Sequence, residues 1–401
     1  MDIHNNGRSY ERMIKCVKEA DISERNKELI LDFNNALLLE NLSKGRLMVY
    51  LCSLKLIAQK AGRDLDKLDI KDIKEIVGQI QQKDYSPHTK KAYKIIIKRF
   101  YKWLLGTKEY PEIVSWIKVG ISRCEKSLPS EGELLTEEDV QVLLKNANHP
   151  RDKALVAVLW ESGARVGEIG NLTLSRVSFD KHGAVFSVSG KTGSRKIRLI
   201  FSVPYLSTWI NSHPFKDNPQ SPLWLNIGNT NQNKSLNYPS INKLLRNLFA
   251  KAGIKKKCNP HIFRHSRATF MADHLTEFQM NQYFGWIQGS DMPSTYVHMS
   301  GREVDNSILE LNGIKVEKKE KECHLIPKIC PKCDTINAYD SHQCNKCGGV
   351  LDLKTAIEID NTPAIQERGR ADELLKFLLN DDRVREVITD RLRLMGDKFS
   401  I

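Results

Sequence analysis

The sequence of 401 residues predicts a mainly α-helical protein with one small β-sheet. Three observations predict this. Apolar residues recur at helical spacing through the first hundred residues. Three short β-prone runs sit together between residues 177 and 200, separated by turn residues. Helical spacing resumes from Tyr238.

In the N-terminal third, Leu29, Ile30, Phe33 and Leu37 mark one apolar helical face, and Leu47, Tyr50, Leu51, Leu54 and Ile57 mark another. Asp69 is placed to cap the helix that opens at Ile70-Lys71-Asp72-Ile73. Ser86-Pro87-His88-Thr89 opens a further helix, which runs through Ala92, Ile95, Ile96, Phe100 and Trp103. It carries Lys90, Lys91, Lys94, Lys98 and Arg99. Residues 1–110 are therefore expected to form a helical domain, and residues 111–134, with Pro111, Pro129 and Gly132, a linker.

A second domain is expected over residues 135–315. Thr136-Glu137-Glu138-Asp139 resembles a capping box. Leu155, Val158 and Leu159 lie on an apolar helix. Val177-Ser178-Phe179, Ala184 to Val188 and Lys196 to Ile200 read as strands, with turns at Asp180–Gly183 and Gly190–Ser194. His261 and Arg264 fall near a helix start, where the helix dipole favours an anion.

The chain holds 62 Lys and Arg against 49 Asp and Glu, a net charge of +13. Residues 351–401 carry 9 basic and 11 acidic side chains, so the whole excess belongs to the first 350 residues. Such an excess favours a polyanion partner such as DNA. It also serves solubility, so charge alone does not decide. No apolar run approaches the ~18 residues of a membrane span, and Met1 to Arg12 do not look like a signal peptide.

The order of certain side chains says more. Arg165 stands in Ser162-Gly163-Ala164-Arg165-Val166-Gly167-Glu168, Lys191 in Gly190-Lys191-Thr192-Gly193, and His261 and Arg264 in His261-Ile262-Phe263-Arg264. Trp286 follows Phe284-Gly285, and Tyr296 stands in Thr295-Tyr296-Val297-His298. This set suits attack of a tyrosine on a phosphodiester. Two guanidiniums can grip the non-bridging oxygens and stabilise the charge of the pentacoordinate transition state. A tyrosine, with an ordinary pKa of ~10, needs a proton acceptor, and His261 is the candidate. Lys191, on a turn flanked by glycines, could protonate the leaving 5′ oxygen. Each residue alone has a plainer explanation: a surface charge, a capping histidine, a half-buried aromatic.

In this order the residues resemble those of the tyrosine recombinases, the integrase family of site-specific DNA recombinases. The resemblance spans about residues 20–310. Arg165, Lys191, His261, Arg264 and Tyr296 match the family pattern, and Glu168 matches its supporting acidic residue. Trp286 stands where many members have histidine; its indole N–H can still donate to a phosphate oxygen. The interval from Trp286 to Tyr296 is one residue longer than the commonest spacing, and Tyr283 is the nearest rival nucleophile.

The resemblance implies a SAM-like core-binding domain over 1–110 and a mixed α/β catalytic domain over 135–315. It implies a double-stranded DNA partner, a 3′-phosphotyrosyl intermediate, and a homotetramer on paired sites. It also implies catalysis without metal or ATP. Lys90, Lys91, Lys94, Lys98 and Arg99 would then contact the DNA backbone, against the alternative of an ordinary solvated helix face. A helix at Val304, Ile308 and Leu311 would dock on a neighbouring protomer or pack in cis. A type IB topoisomerase-like enzyme and a catalytically decayed DNA-binding regulator remain alternatives.

Nine cysteines are an odd number, and Cys330, Cys333, Cys344 and Cys347 form two Cys-x-x-Cys knuckles. That pattern points to structural Zn²⁺ in a ribbon over 326–351, with Gly348 allowing the tight turn, rather than to disulfides. Cys323 and His324 are spare ligand candidates. A reducing compartment follows, with a cytoplasmic, nucleoid-associated location expected. Residues 360–398 read as a helical tail. Leu374, Leu375, Leu378 and Leu379 form one face, and Val384, Val387, Ile388, Leu392 and Met395 form another, with a break at Asn380-Asp381-Asp382. Packing in cis and binding a protein partner are equally consistent with it.

Overall fold

The computed structural model describes residues 2–121, 130–190, 193–228, 231–299, 308–309, 311–313, 325–352 and 363–394. Its N-terminal unit is a helical bundle: α1 (Asn6–Lys18), α2 (Glu24–Leu39), α3 (Lys44–Ala61), α4 (Ile70–Gln82), α5 (Pro87–Leu104) and the short α6 (Glu112–Ser115). The apolar faces predict its core well. Leu29, Ile30, Phe33 and Leu37 of α2 pack with Leu47, Tyr50, Leu51, Leu54 and Ile57 of α3, all buried. Asp69 accepts from Asp72 N at 2.9 Å and closes a capping box on α4. Ser86 caps α5, whose first residue is Pro87. The helix α1 was not expected from sequence spacing; its only buried residue is Val17.

Of the expected DNA contacts on α5, Lys98 is turned inward and Arg99 is already engaged within the bundle. Lys98 is buried, and its ammonium donates to Ser115 O (3.4 Å) and Ile117 O (3.2 Å) while lying 4.3 Å from the Tyr110 ring centroid. Arg99 is paired with Glu40 and donates to Tyr50 Oη at 3.1 Å. Both cations hold the bundle together. The cause is helical geometry: positions 96, 97, 100 and 101 face the core, so 98 lies at its margin.

The second unit begins with α7 (Glu137–Asn146), capped by the predicted Thr136 and Asp139 box. It continues through α8 (Pro150–Ser162) and α9 (Val166–Gly170) to an antiparallel sheet of β1 (Val177–Asp180), β2 (Gly183–Gly190) and β3 (Gly193–Leu199), in the order β1-β2-β3. Then come α10 (Val203–Asn211), α11 (Tyr238–Lys251), α12 (Pro260–Ala272), α13 (Glu277–Phe284) and α14 (Met292–Met299). Leu155, Val158 and Leu159 of α8 are fully buried against Phe186, Ile197 and Leu199 of the sheet. Glu161, also on α8, accepts from the backbone N–H of Ile200, Phe201 and Ser202 at 2.6–2.9 Å. Those bonds fix where β3 ends and so set the register of the hairpin above it.

Two distant segments join this core. Ile3 is buried against Gly170; its N–H donates to Asn171 Oδ1 at 3.1 Å, and its carbonyl accepts from Tyr238 N at 3.0 Å. From the other end, Leu325 and Ala338 are buried in the same core, with Ile336 and Tyr339 packed against it. These residues belong to the ribbon of β4 (Lys328–Ile329) and β5 (Ile336–Asn337). The tail forms helices Pro363–Leu379 and Asp382–Leu394, and Leu374, Leu375 and Leu378 stand exposed. Val304, Cys323, His324 and Met395 lie outside the described residues, while Ile308 and Leu311 are exposed. Among the described residues no helix is long and apolar enough to cross a membrane.

Candidate active site

The site is built where α8 ends. Gly163 closes that helix in the left-handed region (φ +52°), and a Cβ there would lie 2.7 Å from the Phe284 ring. The turn releases Arg165 at the N-cap of α9. One turn on, Glu168 reaches back and accepts from Arg165 N (3.0 Å) and Arg165 Nη1 (3.2 Å).

Glu168 is 3% exposed and is held chiefly by a residue that the sequence reading did not single out. Arg195 of β3 makes a bidentate pair with it, Nη1 to Oε1 and Nη2 to Oε2, both at 2.8 Å. Burial pushes the Glu168 carboxyl up, but the Arg195 hydrogen bond and charge, with the Arg165 bonds, outweigh burial and leave it below the ordinary carboxylate value. Arg195 Nε donates to Tyr283 O at 2.9 Å. Gly285 (φ +62°) lets the Arg195 guanidinium approach the backbone, since a Cβ there would lie 2.6 Å from Arg195 Nη1. Arg195 therefore ties the hairpin to α9 and to the end of α13. Its signal was legible in the alternation of β3: residue 195 shares a face with the buried Ile197 and Leu199. An arginine on such a face needs an acid.

Arg264 comes from α12, whose N-cap Asn259 accepts from Ile262 N at 3.0 Å. It is 7% exposed. Nη1 donates to Gly163 O (3.0 Å) and Nη2 to Phe284 O (2.9 Å), and the guanidinium lies 5.3 Å from the Trp286 ring. Arg165 donates to the following carbonyl, Gly285 O, at 3.3 Å. Two guanidiniums thus sit on successive carbonyls. Burial, with the Arg165 charge, pushes the Arg264 pKa down to about 10. A concentration of positive charge of this kind suits an anion.

Trp286 stacks flat on Tyr296, 5.5 Å between centroids and 4° between planes. Tyr296 is 1% exposed, and burial raises its phenol above the ordinary value. Its hydroxyl lies 2.7 Å from Nδ1 of His265, not of His261. The expected base, His261, sits one turn earlier on an exposed face of α12 and has no hydrogen bond to Tyr296. Partial desolvation, then Arg264 and Arg165, hold its imidazole below the ordinary value. Tyr283 is no rival nucleophile, since its hydroxyl donates to Glu161 O at 2.9 Å. Arg165, Glu168, Arg264, Trp286 and Tyr296 are therefore brought together, with His261 at their edge. Lys191 and the side chain of His298 lie outside the described residues; Gly190 and Gly193, which flank Lys191 in sequence, pair across the hairpin.

At the ribbon, the sulfurs of Cys330, Cys333, Cys344 and Cys347 all lie within 4.8 Å of one another. The closest pairs are 3.4–3.6 Å apart. A tetrahedral Zn²⁺ with bonds of ~2.3 Å requires about 3.8 Å between sulfurs, so the four thiols fit the ion with little adjustment. Gly348 takes φ +70° at the second knuckle.

The phage integrase family matches residues 133–303. The tyrosine recombinase XerD of Staphylococcus haemolyticus is 26% identical over 251 residues, 60% of this chain and 81% of the relative. The tyrosine recombinase XerA of Pyrococcus furiosus is 26% identical over 288 residues, 71% of this chain and 94% of the relative. The fold is similar to that of the XerH site-specific recombinase bound to its palindromic difH substrate in a post-cleavage complex. That similarity has a TM-score of 0.55 over 76% of this chain and 94% of XerH, at 16% identity.

Proposed function

We propose that this chain, whose residues 133–303 match the phage integrase family, is a site-specific DNA recombinase of the tyrosine type. The observation that carries the reading is the pair of guanidiniums. Arg165 and Arg264, far apart in sequence, meet on the successive carbonyls of Phe284 and Gly285, directly before the Trp286 that stacks on Tyr296.

Tyr296 Oη attacks the scissile phosphorus. The P–O5′ bond breaks, and the 3′ phosphate stays on Tyr296. Arg165 and Arg264 stabilise the added negative charge of the transition state, with the Trp286 indole N–H as a further donor. His261 stands at the exposed N-terminal turn of α12, where an anion is favoured. Lys191 supplies the proton to the departing 5′ oxygen. A 5′ hydroxyl of the partner duplex then attacks the phosphotyrosine and reverses the chemistry. The bond energy is kept in that link, so the exchange needs neither ATP nor a catalytic metal.

The partner is double-stranded DNA. Lys90, Lys91, Lys94 and Arg99 of α5 remain backbone contacts in this reading, while the buried Lys98 does not. The working unit is a homotetramer on two paired sites in the cytoplasm, beside the nucleoid. The ribbon holds a structural Zn²⁺, and chelation should lower the thermal midpoint of the whole domain, because Leu325 and Ala338 share its core. An unchanged midpoint after metal removal would sink that role.

The test of the function is a covalent trap. The protein is incubated with nicked duplexes from the DNA flanking its own gene, from which the cleaved fragment diffuses away, and is then denatured. A DNA adduct on the wild type that is absent from Tyr296→Phe is the expected result. Specific binding of those duplexes with no adduct would replace the enzyme with a DNA-binding protein.

A further inference from the structure

We propose that His265, not His261, accepts the phenol proton of Tyr296 in the cleavage step, leaving His261 free to face the phosphate. This rests on Tyr296 being the nucleophile, as read above.

The geometry is direct. His265 and Tyr296 project toward each other from the packed helices α12 and α14, and Nδ1 lies 2.7 Å from Oη. That is hydrogen-bond reach for a proton acceptor on the atom that must lose a proton. Tyr296 has no other hydrogen-bond partner among the described residues. Its ring is stacked on the parallel Trp286, which restrains the plane in which the hydroxyl lies.

His265 is held in the form that this role needs. Among the described residues, the charged or titratable groups facing it are His261 and Arg264 of its own helix, Lys257 just before that helix, and Tyr296 of α14. Burial comes first, then those neighbouring positive groups, in keeping the imidazole neutral at neutral pH. A neutral Nδ1 that bears a lone pair accepts from the phenol, and the remaining ring N–H is Nε2. On attack, the Oη–H bond breaks and the proton passes to Nδ1. The freed electron pair forms the bond from Oη to phosphorus, and the P–O5′ pair leaves with the 5′ oxygen. The imidazolium so formed stands beside a phosphate that is gaining negative charge, which offsets the repulsion from Arg264. Rejoining runs the same transfer backwards.

His261 cannot serve as well. It lies on the exposed first turn of α12 without a hydrogen bond to Tyr296, where the helix N-terminus and the two guanidiniums attract the phosphate.

The experiment is single-turnover adduct formation on a duplex that the wild type cleaves, measured from pH 5 upward. His265→Asn keeps an acceptor but cannot take a proton. His265→Ala opens a space that added imidazole can fill. Wild type should accelerate as pH rises through the His265 value, which lies below 6.5, and then level off. His265→Asn should bind the DNA normally, form adduct ~10²–10⁴-fold more slowly, and lose the inflection. Imidazole should restore His265→Ala, and this variant decides the matter if His265→Asn does not fold. His261→Asn should slow cleavage but keep the inflection. A duplex with sulfur at the 5′ bridging position, whose leaving group needs no proton, should leave the His265→Asn defect in place. A wild-type rate and profile for His265→Asn, or an inflection that disappears with His261→Asn, would overturn the assignment. An adduct on Tyr296→Phe would instead overturn the nucleophile on which it rests.

Discussion

Helices α5 and α12 begin alike and end in different roles. Each opens with a polar N-cap followed by proline, Ser86-Pro87 and Asn259-Pro260. Each carries one buried cation whose donors reach backbone carbonyls: Lys98 to residues 115 and 117, Arg264 to residues 163 and 284. The difference is the company. Lys98 faces the Tyr110 ring, which it shares with Lys102 at 5.6 Å, and the two donate to no common stretch of backbone. Arg264 faces Arg165, with the Arg195 and Glu168 pair behind it. One buried cation satisfied by carbonyls is scaffold. Two that share a short stretch of backbone make a site for an anion, because Glu168 offsets their mutual repulsion only in part and an arriving anion relieves the rest.

The largest effect is expected at the support of that site. Arg195→Met strips Glu168 of its bidentate partner inside the protein, and should destabilise the domain by ~3–5 kcal/mol. Urea unfolding would measure it, and a loss under 1 kcal/mol would show that the pair does not organise the site. Next comes Arg264→Lys, which keeps the charge but not the fork. Adduct formation should fall by ~10²–10³-fold with folding retained. An intact rate would remove the distinction between the two helices.

On the scaffold side, Lys98→Met should cost ~1–3 kcal/mol of stability by orphaning two carbonyls, yet leave the salt dependence of DNA binding unchanged. Lys94→Ala should do the reverse, flattening the slope of log K against log salt by ~0.9. If Lys98→Met flattened that slope too, α5 would be reading DNA with its buried edge.

The smallest effect concerns pH. The folded Glu168 carboxyl lies below its ordinary value of 4.5, so its stabilisation is present above that value and is lost as pH falls through the lower, folded one. Glu168→Gln should therefore flatten the fall of the thermal midpoint below pH 4.5, although it starts from a lower midpoint. Parallel curves for the two proteins would exclude Glu168 as the group responsible.

Much of this was legible along the chain. Apolar spacing marked the faces of α2, α3 and α8 because burial in a helix repeats every third or fourth residue. The caps at Asp69, Thr136 and Ser86 were legible because a cap is a local bond between neighbours. So were the three strands and their turns. Spacing gave no warning of α1, which buries only Val17, or of Ile3 in a distant core. Nor did spacing show that Lys98 is buried or that Tyr296 meets His265 rather than His261, since a basic or imidazole side chain shows nothing in sequence of what it will face.

The sequence by itself determined most of the elements and nominated the candidate residues that the fold brings together: Arg165, Glu168, Arg264, Trp286 and Tyr296, and the four cysteines at 330, 333, 344 and 347. Residue type and short spacing fix those, because hydrogen bonds along a helix and knuckle turns are local. Only the tertiary structure decided the partners: Arg195 on Glu168, His265 on Tyr296, and Lys98 on the carbonyls of 115 and 117. Those pairings join segments distant in the chain. Their energies depend on burial and on neighbouring charge, which exist only once the core has closed.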